Sequence, residues 1–505
     1  MRFSILLLAS SLLLLFCLFP TRNHYWDGIG FSLNIEGHSQ DHNGIAPDQA
    51  SVNGIYYNPN HLLFNLTGYL LFRSVEAIFP DARAFEVLRL LSICCAIGSA
   101  ILVMLLLYRA TGDRLLSFFC ALGMSVSATW WKYATDANAY IPSTFLLVAA
   151  AFLLIGKERR GTVLAVGLLH AAAMLLHQIA IFFFPAALLI LYQRSPRKIP
   201  AYITAAAFPV AIAYAAVWYG ALGHGWEPKQ FLTWITSNGS DVLNQHSPVA
   251  RLAESFRSSV RLIFGGRISL ARAFLSTPSL IALGMLMAAA ITTFFRTVFR
   301  SKPAWRQLPA QLTGFLAVWI GSFGLFLLFW LTEYPYYRIF YLPALTMLAG
   351  LVISRCLTVR QDRVAASLVV FIATFNFTFY IYPYSIPEAT PPVRVAEGAR
   401  KIWGQDVLVL YKEFSCDNWM MRHFNNQTKW KRAADDHHGL VRQIKEATNA
   451  GHSVWMDTSV LGHIDQSPGM SRDLSYHVKI TDHFGVSNRK HQMRFAKVTL
   501  LPAGT

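Results

Sequence analysis

The chain has 505 residues, 54% of them hydrophobic and 14% charged, with a formal charge of +17. An ordinary soluble domain is excluded, because apolar runs follow one another from residue 4 to residue 382, and stretches such as "LIALGMLMAAAITTFF" and "ASLVVFIATF" are apolar all round a helix. The charge does not mark a nucleic-acid partner either, since Lys and Arg cluster in the short links between runs, where they report membrane orientation.

Runs of this length imply helices rather than barrel strands, and therefore a mainly α, polytopic membrane protein. The chain begins with Arg2 and an apolar stretch to Phe19; "FCLFPTR" at its end has no small-x-small cleavage pattern, so an uncleaved anchor is expected. Eleven spans are predicted, near 4–20, 88–108, 115–129, 138–156, 162–176, 177–193, 200–220, 279–299, 312–331, 337–354 and 364–382. The stretch 61–79 is also long enough to cross, but His61, Asn65, Arg73 and Glu76 fall within about 120° of one helical face, the pattern of a helix lying in the interface.

Parity tests that choice. With 61–79 lying flat, Arg109 and Arg114, "KERR" at 157–160, "RSPRK" at 194–198, Arg296 to Arg306 and Arg355 to Arg363 all share the side of the N-terminus, which makes every basic link cytoplasmic. The segment 21–87, the link "TWWKYATDA", the loop 221–278, the link "TEYPYYR" and everything after 383 then lie outside. Residues 383–505 change composition abruptly. Strand-like "DVLVLY" and "HSVWMD" flank helix-like "GLVRQIKEATNAG", with strand-like "MRFAKVTLL" following, so a small extracytoplasmic α/β domain is expected after a transmembrane domain at 1–382. Five of the six cysteines, Cys17, Cys94, Cys95, Cys120 and Cys356, lie in or beside spans and only Cys416 in the tail, which gives no disulfide framework or thiolate zinc site.

The outer face carries the unusual polar chemistry. Asp27 lies a few residues beyond the first span between Trp26 and Phe31, where a carboxylate can serve as general base to a hydroxyl presented from the water. Glu36, His38, Asp41, His42 and Asp48 read as a hydrated loop. In "WWKYATDANAY", Lys132 and Asp136 are four apart. They form either a local ion pair on a helix or part of the pocket of Asp27, walled by Trp130, Trp131 and Tyr140. In "TEYPYYRIFYLP", Glu333 and Arg338 flank Tyr334, Tyr336 and Tyr337 at the outer ends of two adjacent spans. The tyrosines fit an interfacial belt and Arg338 a snorkelling cation, while the alternative is a guanidinium fork for a lipid-linked phosphate at that depth. His170 and His177 are seven apart and read as polar core or interface histidines, because no further metal ligands accompany them. "DDHHG" at 435–439 reads as the start of a tail helix with acids at its N-terminus.

These features together resemble the GT-C superfamily of integral-membrane glycosyltransferases, in particular its protein O-mannosyltransferase-like and lipid A aminoarabinose transferase-like members. The resemblance covers residues 1 to about 380 and rests on order: Asp27 after the first span, "NPNHLLFNLTGYLLF" entering a juxtamembrane helix, "RLLSICCAIGSAILVMLLLYRATGDR", "TWWKYATDANAY", and the histidine-containing "LLHAAAMLLHQIAIFFFPAALL". It departs at Asp27-Gly28, where relatives carry an Asp-Glu pair.

The resemblance implies inverting transfer of a sugar from a polyprenyl-phosphate donor to a lipid, glycan or protein hydroxyl. Asp27 would be the base and Asp136 a second acid of the catalytic pocket. Arg338, and after it Lys132, would face the leaving phosphate, and His61, Tyr140, Glu333 and Tyr337 would line the substrate site. Cofactor need stays open, a divalent metal being compatible with such chemistry. The expected location is a bacterial inner membrane with the site and C-terminal domain outside. Two other readings remain: a transporter or flippase of lipid-linked sugars, and a surface-glycan polymerase or ligase. The first calls for broken polar helices at mid-membrane in both halves, the second for a large late outer loop such as 221–278.

Overall fold

The computed structural model describes residues 1–37, 55–157, 159–237, 247–300, 308–357, 360–412, 416–487 and 492–501. Among these, five helices are long and apolar enough to cross a membrane alone: Ala84–Thr111, Pro196–Ala221, Thr277–Arg300, Ala310–Phe329 and Gln361–Tyr384. Six shorter apolar helices, Arg2–Leu18, Arg114–Ser125, Tyr140–Ile155, Thr162–Leu176, Gln178–Arg194 and Leu342–Cys356, occupy the other six expected positions. The eleven expected spans are all helical, and the protein is a multi-pass membrane protein. The stretch expected to lie flat divides into a short turn, Pro59–His61, and a helix, Phe64–Glu76.

Local chemistry sets the ends of these helices. Ala84–Thr111 stops at Gly112, which adopts φ +73°, and the next helix starts where the Asp113 side chain accepts the Leu115 and Leu116 amides. Glu36, expected in a hydrated loop, instead receives a two-pronged ion pair from Arg83 at 2.8 and 2.9 Å and also accepts the Ala84 amide at 2.9 Å. Its carboxylate therefore caps the 28-residue helix, where the helix dipole favours it. His38, Asp41, His42 and Asp48 lie outside the described residues.

Small residues bring the helices close. A Cβ on Gly167 would meet Ala205 Cβ at 2.5 Å, so Thr162–Leu176 and Ile199–Ala215 pack nearly backbone to backbone. Thr277–Arg300 is the opposite case: Ala290 is its one buried residue, which leaves Ile281, Met285, Phe295 and Phe299 facing lipid.

By contacts the chain forms two units. One holds Met1–Thr21, Asn34–Gly37 and the membrane helices up to Ser385; the other holds Arg22–Leu33 and the chain from Ile386 onward. The second unit is built on a five-stranded sheet of β1 (Val407–Tyr411), β2 (Lys429–Arg432), β3 (Ser453–Met456), β4 (Val478–Ser487) and β5 (Gln492–Leu500), in the order β2-β1-β3-β5-β4. β1 runs parallel to β2 and β3, and β5 antiparallel to β3 and β4.

Alternation gives the sheet two faces. Leu408, Leu410, Val454, Met456, Ala496 and Val498 form a core with the helices His437–Asn449, Thr458–Asp465 and Pro468–Ser475. Asp436 caps the first of these through the Gly439 amide, as "DDHHG" suggested. The other face is aromatic, with Trp403, Trp430, Trp455, Phe484 and Phe495 in mutual contact.

Candidate active site

The site begins at a break in the helices. Thr162–Leu176 ends because His177 is extended (φ −155°, ψ 118°), and the chain resumes as a 3-10 turn, Gln178–Phe183. The His177 ring caps that turn, its Nδ1 accepting the Ile179 amide at 3.2 Å, so in the neutral ring the proton sits on Nε2. Nε2 is buried and has no hydrogen-bond partner among the described residues.

The break frees two carbonyls. Leu175 O accepts the Leu63 amide at 2.9 Å, and Leu176 O faces His61 Nδ1 at 3.4 Å, which makes that nitrogen the donor. His61 and His177 thus meet edge to face, 4.5 Å between ring centroids. Burial pushes His61 down to about 4, against the pull of the Leu176 carbonyl, so its ring is neutral at pH 7.

Tyr140, at the start of Tyr140–Ile155, stands at the centre of the cluster and is 1% exposed. Its ring lies 4.9 Å from His177, 5.2 Å from Tyr336, 5.4 Å from Tyr133 and 5.7 Å from Tyr337, with His61 at 6.0 Å. Tyr337 also packs on Trp330 at 4.6 Å. The structure therefore brings together three of the predicted residues, His61, Tyr140 and Tyr337, from three separate stretches of the chain. The tyrosines of "TEYPYYR" are more than an interfacial belt.

Lys132 and Asp136 border this cluster. The helix carrying Lys132, Ala128–Ala134, ends before Asp136, so the i,i+4 helical pair does not form. Asp136 is fully buried in the turn that follows, its carboxylate accepting the Ala137 amide at 3.0 Å. The Lys132 ammonium lies 5.5 Å over the Tyr133 ring; burial lowers its pKa and the charge of Asp136 opposes that shift. Trp131 does not wall this pocket, because its Nε1 donates to the Phe19 carbonyl at 3.0 Å and its ring meets Tyr380.

Arg338 follows Tyr337 in the turn Pro335–Phe340 and is 1% exposed, so it does not snorkel to water. Its fork is taken up by a helix of the 221–278 loop, Pro248–Ile263: Nη2 donates to Ser255 Oγ at 2.8 Å and Ser255 O at 3.2 Å, and Nε to Ser259 Oγ at 3.3 Å. Nη1 has no partner among the described residues. Glu333 is half-buried with no hydrogen bond or ion pair in the described structure. His170 and His177 share no site, for His170 is core, bonded to Tyr202 Oη at 2.8 Å and the Ala180 carbonyl at 2.9 Å. No three His, Cys, Asp or Glu gather as a metal-holding group among the described residues.

Asp27 belongs to the other unit, in the first turn of Trp26–Ile35. That helix packs through Gly30, where a Cβ would meet the Trp419 ring at 2.9 Å. Burial raises the Asp27 carboxyl above its ordinary value and a hydrogen bond from Tyr25 pulls it back, a shift toward the range useful for a base. Sequence reasoning missed Ser255 and Ser259 as partners of Arg338 and His177 as part of the cluster. The Ser247-Pro248 helix start was the one available signal for the first two; His177 was marked only as a polar core or interface histidine, because its role depends on a helix ending beneath it.

The fold is one shared with solved structures of another membrane protein. Two solved structures match from end to end. ArnT from Cupriavidus metallidurans bound to undecaprenyl phosphate has a TM-score of 0.54 at 11% identity, covering 98% of this chain and 97% of that one. Apo ArnT from the same organism has a TM-score of 0.59 at 10% identity with the same coverage. No family model and no curated protein matches the sequence, so the likeness is one of fold.

Proposed function

We propose that the protein transfers a sugar from a polyprenyl-phosphate donor to a hydroxyl acceptor at the outer face of a bacterial inner membrane, with inversion. One observation carries this reading: the whole chain shares its fold with a protein crystallised with undecaprenyl phosphate. Supporting it, one end of the spans holds a buried cation whose Nη1 has no partner among the described residues, the His61–His177 ring pair and a tyrosine cluster. The opposite ends carry exposed Arg and Lys.

The chemistry balances without another reagent. The acceptor oxygen forms a bond to the anomeric carbon as its proton passes to the Asp27 carboxylate, and the bond from that carbon to the phosphate oxygen breaks, leaving its electrons on the phosphate. Arg338 Nη1 meets the developing charge, with Lys132 as a secondary cation. His61, Tyr140, Glu333 and Tyr337 position the sugar, and Asp136 sets the field around Lys132.

The test is transfer by purified protein in liposomes, with a panel of radiolabelled polyprenyl-phosphate sugars and crude envelope acceptor. Asp27→Asn is expected to lower turnover by about 10²–10⁴-fold while donor binding persists. A wild type that turns over no donor, yet carries labelled lipid across the bilayer, would make it a flippase instead.

A further inference from the structure

The aromatic face of the C-terminal sheet opens into a cleft of about 550 Å³, within the size range of small-ligand sites. Its chemistry is not that of a core. Register sets Trp455 opposite Lys497 on neighbouring strands, and Ser453 lies two residues earlier on the same face. Phe484 stands 5.4 Å from Trp455, and the buried Trp403 ring backs both, at 5.8 Å from Trp455 and 5.5 Å from Phe484.

Asp406 completes the rim just before β1. A Cβ on Gly404 would meet Asp406 Oδ1 at 2.7 Å, so the glycine leaves room for the carboxylate to fold back over the backbone. The Asp406 main-chain carbonyl is used, accepting the Ser453 amide at 2.9 Å and facing His452 Nδ1 at 3.1 Å. Its carboxylate and the Lys497 ammonium have no partner among the described residues.

We infer that this cleft binds a pyranose ring of an uncharged saccharide. A pyranose has a C–H face that suits flat aromatic walls, and an edge of hydroxyls that each donate and accept. The rim offers a carboxylate that only accepts, an ammonium that only donates, and a hydroxyl that does both. A phosphorylated ligand would meet the Asp406 charge, and an acyl chain would strand both ions without hydrogen bonds. The site lies in the unit that contains no membrane span, and the inference holds whether or not the chain transfers sugar.

The experiment uses the full chain in phospholipid nanodiscs, free of sugar detergents. Saturation-transfer NMR is recorded with methyl glycosides of glucose, mannose, galactose and N-acetylglucosamine, and with maltose, lactose and chitobiose. Saturation is expected on ring C–H protons of at least one probe, with affinity weakened about tenfold or more in Asp406→Asn and in Lys497→Met. Gly404→Ala is expected to weaken the same probe, because it displaces the carboxylate. Both charge substitutions lie on the rim rather than in the packed face, and circular dichroism checks that the fold persists. No saturation of any probe overturns the inference, as does a signal indifferent to both rim variants. A signal that survives them but disappears in Asp27→Asn also overturns it, and leaves the transfer reading standing.

Discussion

Arg194 and Arg338 stand at opposite ends of the membrane helices and use the same guanidinium in opposite ways. Arg194 is exposed. Its Nη1 reaches the carbonyls of Leu154, Ile155 and Gly156 at 2.8, 3.1 and 3.3 Å, and its Nε donates to Gln311 Oε1 at 3.2 Å. It finishes the end of Tyr140–Ile155, as a basic residue at a helix C-terminus does. Arg338 is buried, its hydrogen bonds run to the neutral groups of Ser255 and Ser259, and Nη1 has no partner among the described residues. Burying a guanidinium without an anion is costly. Arg194 completes a helix end, whereas Arg338 keeps one donor unused among the described residues.

The comparison breaks most sharply at Arg338. Arg338→Ala is expected to lower transfer about 10²–10³-fold at saturating acceptor, with Arg338→Lys failing to restore it, since a point charge cannot span Ser255, Ser259 and a phosphate together. If Arg338→Ala keeps its turnover and only melts earlier, Arg338 is as structural as Arg194.

A second effect comes from His61. Its folded pKa of about 4 lies below the ordinary 6.5, so between those values the unfolded chain binds more protons. Stability is therefore fully present above pH 6.5 and is lost as pH falls toward 4, by on the order of 3 kcal/mol. Melting wild type and His61→Gln at pH 7 and pH 4.5 measures it: the variant should lose less on acidification, and equal losses would remove His61 from the account. The smallest effect is expected at the opposite end of the helices, where Arg194→Ala should cost no more than about 1 kcal/mol and leave turnover unchanged, read as a melting shift beside an initial rate.

The membrane helices were legible because apolar length is a signal that survives without tertiary context. "DVLVLY" and "HSVWMD" each contain an observed strand, and "MRFAKVTLL" covers all but the first residue of another, for the same kind of reason. β2, "KWKR", escaped notice because four mostly charged residues carry no strand pattern, and pairing with β1 alone makes them a strand. At the site, residue types near span ends pointed to His61, Tyr140 and Tyr337, and parity placed them on one side of the membrane. Which rings meet was not legible, because it depends on where Thr162–Leu176 stops and on a loop helix supplying Ser255 and Ser259. The relation of Lys132 to Asp136 misled because a spacing of four has its helical meaning only while the helix lasts.

The broken helix at His177 has a mechanical consequence. Carbonyls released near the membrane are tolerated only when something in the protein answers them, and here the Leu63 amide and the His61 ring do so. The two turns are latched to each other. Lifting the segment that enters Phe64–Glu76 would bare Leu175 and Leu176, so that helix and the histidine joint should travel as one piece, and any swing of the helix would carry one wall of the tyrosine cluster with it.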